Sequence, residues 1–198
     1  MRRMTISDSV TDYFNAHLSA VSRIELASVS ELAQEIIDAL HKNRTVFLAG
    51  NGGSAAAASH FAADLSMGIR TAEGIRLRVH CLAEGLSTLT AYANDLGYEN
   101  VFVEQLRSHM SSRDIFIALS GSGDSENVVR AALYAKSLGA TVVAVTGFNG
   151  GRLKAIADLA LHVPVNDMYI AEDIQTVVNH AVMNAVRNYL ELTSLKND

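Results

Sequence analysis

Thr45-Val46-Phe47-Leu48-Ala49-Gly50-Asn51-Gly52-Gly53-Ser54-Ala55-Ala56-Ala57-Ala58 is the stretch that decides the fold. Its first five residues are a short apolar run, β-branched and aromatic, and read as a buried strand. Gly50 to Gly53 reads as a tight turn. Ser54 then opens an alanine-rich helix running to about Met67.

The same unit recurs downstream. Ile115-Phe116-Ile117-Ala118-Leu119 leads into Ser120-Gly121-Ser122-Gly123-Asp124-Ser125 and a helix to about Leu138. Thr141-Val142-Val143-Ala144-Val145 leads into Thr146-Gly147-Phe148-Asn149-Gly150-Gly151 and a short helix. Leu77 to Leu82 and Leu159 to Val163 are two further strand candidates, the second stopped by Pro164. A last helix is expected from about Tyr169 to Leu192. Continuous apolar strands alternating with helices predict a parallel sheet covered on both faces. The expected fold is therefore α/β: a doubly wound sheet of five parallel strands flanked by helices. Upstream, Val10, Phe14, Leu18 and Val21 recur at helical spacing, as do Leu32, Ile36, Ile37 and Leu40. Ser30 with Glu31 is the expected cap of that second run. Residues 1–44 thus read as a helical N-terminal extension and 45–198 as the α/β core of one domain.

Composition narrows the function. The chain has 198 residues, 49% hydrophobic and 19% charged, which argues against a disordered chain. No apolar run is long enough to span a bilayer. The start, Met1 to Asp8, has two arginines but no apolar stretch behind them and is not a secretory signal. The one cysteine, Cys81, cannot form an internal disulfide, so a reducing, cytoplasmic setting is expected. Cys81 itself is expected to be buried and inert. Net charge is −5 with no block of Lys or Arg, so nucleic acid is not an expected partner.

In such sheets ligands sit beyond the carboxyl ends of the strands, where the Gly/Ser turns lie. Gly50 to Ala55 fits G-x-G-x-x-A, a dinucleotide fingerprint. That reading needs an acidic residue at the end of the second strand, about 20 positions on; the one nearest to the end of the Leu77 to Leu82 strand, Glu84, lies 34 after Gly50. No nucleotide cofactor is expected, and no G-x-x-x-x-G-K-[ST] loop exists. The second turn is more informative. Ser120, Ser122 and Ser125 place three hydroxyls around Gly121 and Gly123 at the start of a helix. Hydroxyls with helix-N-terminal amides form a phosphate cradle that needs no Lys or Arg. Among titratable groups, His60 and Asp64 are i, i+4 on the first sheet-flanking helix. Glu172 and His180 lie eight residues apart on the last helix, about 80° around its axis. Two histidines and two carboxylates on two helices could serve as acid and base or ligate a Zn²⁺-type ion. Asn94-Asp95 before Gly97 reads as a polar turn. Met67, Met110, Met168 and Met183 read as core filler. His17, His41, His80, His109 and His162 show no partner in the sequence.

Taken together, these residues resemble the sugar isomerase (SIS) domain family, on its sedoheptulose 7-phosphate isomerase (phosphoheptose isomerase) branch. The resemblance runs from about residue 10 to 192. It is carried by Ala49 to Ala56, Ser59 to Leu65, Leu89-Thr90-Ala91 to Asn94-Asp95, Ser120 to Asn127, Thr146-Gly147 with Gly150-Gly151, and Glu172 to His180. It implies a flavodoxin-like sheet. The implied reaction is sedoheptulose 7-phosphate to a manno-heptose 7-phosphate through an enediol, the first step toward heptose units of surface polysaccharide. Asn51, Gly52, Gly53, Ser54, Asp64, Asn94, Asp95, Ser120, Gly121, Ser122, Ser125 and Glu172 are the implied substrate contacts. Asp64 and His180 are the implied acid/base pair, with the two roles in either order. His60, Asp64, Glu172 and His180 are the implied zinc ligands. Homotetramers with sites at subunit interfaces are implied as well.

The sequence departs from the family pattern around this one site. Asp64 stands where the family usually has Glu, Glu172 where it has Gln, and Gln175 where a further His is usual. Gly121 replaces a Thr and Asp124 an Asn, and a basic residue expected at Gly68 is not matched, although Arg70 is near. Each changed position near the implied metal keeps a group capable of ligation. The family also includes non-catalytic proteins that bind phosphosugars or associate with a replication initiator. His60, Asp64 and His180 argue for the enzyme.

Overall fold

A computed structural model describes residues 4–70 and 74–194. The strands are β1 (Thr45–Ala49), β2 (Arg78–Cys81), β3 (Ile115–Ser120), β4 (Thr141–Thr146) and β5 (Leu159–His162). The helices are α1 (Ile6–Val21), α2 (Leu26–His41), α3 (Gly52–Gly68), α4 (Leu86–Leu96), α5 (Val103–His109), α6 (Glu126–Leu138), α7 (Gly151–Ile156) and α8 (Met168–Ser194). A 3-10 turn, Tyr98–Asn100, joins α4 to α5.

All four strand pairings are parallel, in the order β2-β1-β3-β4-β5. This is the flavodoxin-like order, and the chain reverses its direction of winding between β1 and β3. The expected five-stranded doubly wound α/β sheet is thus the observed one. Its physical origin is the two-residue period of the strands. Val46, Leu48, Ile115, Ile117, Val143 and Val145 enter a core shared with α2, α3 and α8. Phe47, Ala49, Phe116, Ala118, Val142 and Ala144 enter a second core shared with α6. Both sets are buried, which is why these strands read as unbroken apolar runs rather than as alternation.

Three expectations at the level of elements change. Ser30 does not cap α2. The helix begins at Leu26 after Glu25, and the Ser30 hydroxyl donates to the Leu26 carbonyl from inside it. α3 begins at Gly52, two residues before Ser54. Met67 and Met168 are not core filler: they are 78% and 43% exposed, whereas Met110 and Met183 pack against the cores. Methionine is apolar at any depth, so its identity alone does not report burial. Cys81 is half-buried, and desolvation pushes its thiol up to about 11, so it is protonated and unreactive near neutrality.

Candidate active site

Two turns meet where the winding reverses. Asn51 closes the β1 turn as N-cap of α3, and Asn127 opens α6 after β3. Their side-chain amides bond reciprocally, each Nδ2 donating to the other's Oδ1 at 2.9 Å. The Tyr98 hydroxyl also donates to Asn51 Oδ1 at 2.8 Å. This fixes the Asn-Gly-Gly turn against the start of α6. Gly52 and Gly53 are exposed on it, and Ser54 is buried behind it. Gly53 has a further requirement: a Cβ there would overlap the Glu172 carboxylate of α8. A side chain at Gly53 would require the Glu172 carboxylate to move aside.

The Ser-rich turn lies beside it. Ser120 is buried at the end of β3, and its Oγ accepts from the Gly123 N–H at 3.1 Å. Ser125 Oγ is 3.4 Å from Ser120 Oγ, and Ser122 Oγ accepts from the Asp124 N–H. Ser125 is the N-cap of α6 without using its side chain to cap it. Gly123, at φ +73°, packs so closely on the turn after β4 that a Cβ would overlap the Gly150 carbonyl. Leu153 N–H donates to the Gly123 carbonyl, and Gly147 N–H to that of Gly121. Arg152 clamps the outside of the turn, donating to Asp124 Oδ1 from its backbone N–H at 3.0 Å and its Nε at 3.1 Å. Those two bonds hold the Asp124 carboxyl below the usual carboxylate range. Asn94 and Asp95 are exposed at the end of α4 and bond to each other at 2.8 Å. The 3-10 turn that follows carries Tyr98, which places α4 beside the Asn51 turn.

A second cluster lies further along α3 and α8. The helices run parallel, Gly53 meeting Glu172 and Asp64 meeting His180. One carboxylate oxygen, Asp64 Oδ2, faces His60 Nε2 at 3.4 Å and His180 Nε2 at 3.9 Å. The two imidazole rings meet edge to face, with centroids 5.0 Å apart. All three donor atoms lie within 4.8 Å of one another. Two imidazole nitrogens and a carboxylate oxygen are a suitable donor set for Zn²⁺, and three protein ligands with an open position is the usual catalytic arrangement. Glu172 is not in this cluster. It precedes His180 by eight residues, about 12 Å along the helix, and lies over Gly53 instead. Beyond the cluster an open groove of about 510 Å³ continues past Met67, Gly68 and Met183 to Arg187.

Sequence reading gave no role to Asn127, Tyr98 or Asn179, and noted Gln175 only as standing where a further His is usual. Asn127 and Tyr98 hold the Asn51 turn. Gln175 and Asn179, 2% and 1% exposed, lie buried on α8 next to the histidine cluster. The available signal was periodicity: both fall on the face of α8 that otherwise carries buried aliphatic residues. Of the unassigned histidines, His17 lies 3.7 Å from Asp173, His80 stacks on Phe47 and His109, and His162 Nδ1 lies 3.2 Å from Thr146 Oγ1.

The profile of the SIS domain matches residues 11–147. This chain belongs to the SIS domain family. Within it, the chain is 34% identical to the phosphoheptose isomerase of Helicobacter pylori (strain P12), covering 93% of this chain and 97% of that one. It is 38% identical to the phosphoheptose isomerase of Mycobacterium tuberculosis (strain ATCC 25177 / H37Ra), over 85% of each. The solved phosphoheptose isomerase of Neisseria gonorrhoeae superposes with a TM-score of 0.85 at 29% identity, covering 93% of this chain and all of that one. The SIS family therefore holds on both sequence and fold, and the phosphoheptose isomerase branch on near-complete coverage.

Proposed function

We propose that the protein is an aldose–ketose isomerase of a sugar phosphate, acting on sedoheptulose 7-phosphate to give the manno-heptose 7-phosphate. The observation that carries this reading is Asp64 Oδ2 facing both His60 Nε2 and His180 Nε2 on two parallel helices. Those helices lead back to the Gly53 and Ser-rich turns. Gly53 and His60 are separated by seven residues of α3, about 10 Å, so the two ends suit an extended substrate with its phosphate remote from the reacting carbons.

The Ser120, Ser122 and Ser125 hydroxyls and the N-terminus of α6 hold the phosphate, with Gly121 leaving the backbone accessible. Asn51, Gly52, Gly53, Ser54, Asn94, Asp95 and Glu172 orient the sugar hydroxyls. Binding energy from that remote end positions the reacting carbons. One of Asp64 and His180 removes a proton from C1 of the ketose, giving an enediol across C1 and C2. The other serves as the acid. Protonation at C2, with loss of the O1 proton, leaves the carbonyl at C1, and no other reactant is consumed. Such proton transfers contribute about 10²–10⁴-fold in rate. His60, Asp64 and His180 would hold a Zn²⁺ ion, which when bound polarises the carbonyl oxygen; with its Nε2 on the ion His180 would not be free to carry a proton, so its ligand and acid/base roles exclude each other, whereas Asp64 keeps a second oxygen. Glu172 acts on the substrate side, since its carboxylate lies with Gly53.

Two further features belong to this reading. The protein works as a homotetramer with sites at subunit interfaces, supported by an apolar stripe on α1 that the single chain leaves exposed. It works in the cytoplasm, supported by its single cysteine, Cys81, which suits a reducing compartment. The chain is one domain, supported by α2 sharing its core with the sheet.

The test is turnover of sedoheptulose 7-phosphate, followed as aldose formation, with chelator and with added Zn²⁺. The expected result is turnover that His180→Ala lowers by about 10²-fold or more without unfolding the chain. No turnover of any heptulose or hexulose phosphate in either condition would refute the reading. Elemental analysis tests the ligand set: His60→Ala should lose bound zinc and Glu172→Ala should retain it.

A further inference from the structure

We propose that Asn179 is a positioning residue for the Asp64 carboxylate. The contact stands on geometry alone, and its effect on turnover rests on the isomerase reading above. Asn179 precedes His180 on α8 and is 1% exposed. Its Nδ2 donates to Asp64 Oδ2 in a long hydrogen bond of 3.4 Å. This is the same oxygen that faces His60 Nε2 and His180 Nε2. Three nitrogens therefore converge on one carboxylate oxygen.

The three are not equivalent. The His60 and His180 side chains are 48% and 57% exposed, so water and substrate can reach them. The Asn179 amide is held in the packed interior and keeps one orientation. An aspartate χ2 is broad and roughly two-fold, so the carboxylate needs an external partner to fix its rotation. The buried amide supplies one. Packing does not explain an asparagine at this position. Ile174, Val178, Val182 and Val186 of the same helix are all buried and apolar. Asn179 Oδ1 finds no partner among the described residues, a desolvation cost that an aliphatic side chain would avoid. Among the described residues, the one polar contact of this costly group is with the site carboxylate. Partners that orient a ligating or reacting side chain change affinity or activity by about 10–100-fold when removed.

The experiment is a cycle of wild type, Asn179→Leu, Asp64→Ala and the double variant. In Asn179→Leu, kcat on the heptulose phosphate should fall about tenfold or more with KM nearly unchanged. In the Asp64→Ala background the same change should have no further effect, because Asn179 acts through Asp64. Zn²⁺ affinity, read by competition with a chromophoric chelator, should show the same pattern. Urea melts of the four proteins in chelator require neither turnover nor metal, and their midpoint shifts should be non-additive. Wild-type kcat in Asn179→Leu, or an equal loss in both backgrounds, would overturn the proposal. If wild type turns nothing over, the isomerase reading fails, and additive melting shifts would then overturn the contact on their own.

Discussion

Asn51 and Asn127 form a closed amide pair, each donating to the other at 2.9 Å, across the point where the sheet reverses its winding. One comes from the turn after β1 and the other from the first turn of α6. The pair joins the two loops that the proposed sugar phosphate must touch together. Asn127 Oδ1 also accepts the Val128 N–H at 2.9 Å, and the residue is 2% exposed.

Asn127→Leu removes both amide bonds, while the Val128 N–H keeps its second acceptor, the Ser125 carbonyl. Hydrogen bonds of this kind contribute about 0.5–1.5 kcal/mol each, so a loss of about 1–3 kcal/mol is expected in urea melts. Because Asn127 anchors a binding turn and lies away from Asp64, KM for the sugar phosphate should rise several-fold with a smaller change in kcat. A large kcat loss at unchanged KM would show that the pair acts on the chemistry instead.

Gln175 gives a prediction of opposite sign. It is 2% exposed, and neither its Nε2 nor its Oε1 has a partner among the described residues. A buried polar group left unsatisfied costs about 1–3 kcal/mol. Gln175→Met keeps the length of the side chain and removes the polar atoms. It should raise stability by about that amount, or the melting temperature by a few degrees for a chain of this size. A fall in stability would show that Gln175 has a buried partner, such as an ordered water.

How much of this was legible beforehand follows from which forces act locally. The strands were readable because both their faces are buried, which leaves a continuous apolar run in the sequence. His60 and Asp64 were readable as a pair because i, i+4 spacing on one helix fixes their proximity. Glu172 and His180 share a helix too, but eight residues put them at different levels, against Gly53 and Asp64 respectively. Sequence spacing on α8 gave no means of telling which residue of α3 each would meet. Asn179 was overlooked because a polar residue beside a histidine reads as surface. Only the packing of α8 on α3 shows that the amide faces inward.

His162 supplies a pH dependence. Burial in β5 is the main cause that lowers its pKa, with the Lys154 charge adding to it, while its contact with Thr146 acts the other way. The folded protein thus holds His162 neutral at a pH where the unfolded chain, titrating near 6.5, has begun to bind a proton. Wherever the unfolded state binds more protons, stability rises with pH. The His162 contribution to stability is therefore complete above about pH 6.5 and is lost as pH falls through that value toward the lower folded pKa. Urea midpoints measured from pH 8 to pH 5 should decline for wild type more steeply than for His162→Asn, which cannot take up the proton. Parallel curves would show that His162 is not the group responsible.

α1 carries the last prediction. Its inward contacts are both apolar and polar: Ala20, Val21 and Tyr13 pack on the core, the Tyr13 hydroxyl donates to Asp173 of α8, and His17 Nε2 lies 3.7 Å from the same carboxylate. Its outer face is apolar, with Ile6, Val10, Phe14 and Leu18 at four-residue steps and 85%, 51%, 61% and 67% exposed. A chain gains little from such a stripe unless another apolar surface covers it. A second copy of α1 is the simplest cover, because in a two-fold interface the same patch serves both partners. Phe14→Asp places a charge at the centre of the stripe without touching the α8 contacts. Light scattering on a sizing column should give wild type a mass about four times the 21.2 kDa of one chain. The Phe14→Asp variant should elute as smaller species, down to the single chain, with helical content retained in far-UV circular dichroism. An unchanged assembly in that variant would mean that the stripe is not the contact that holds the copies together.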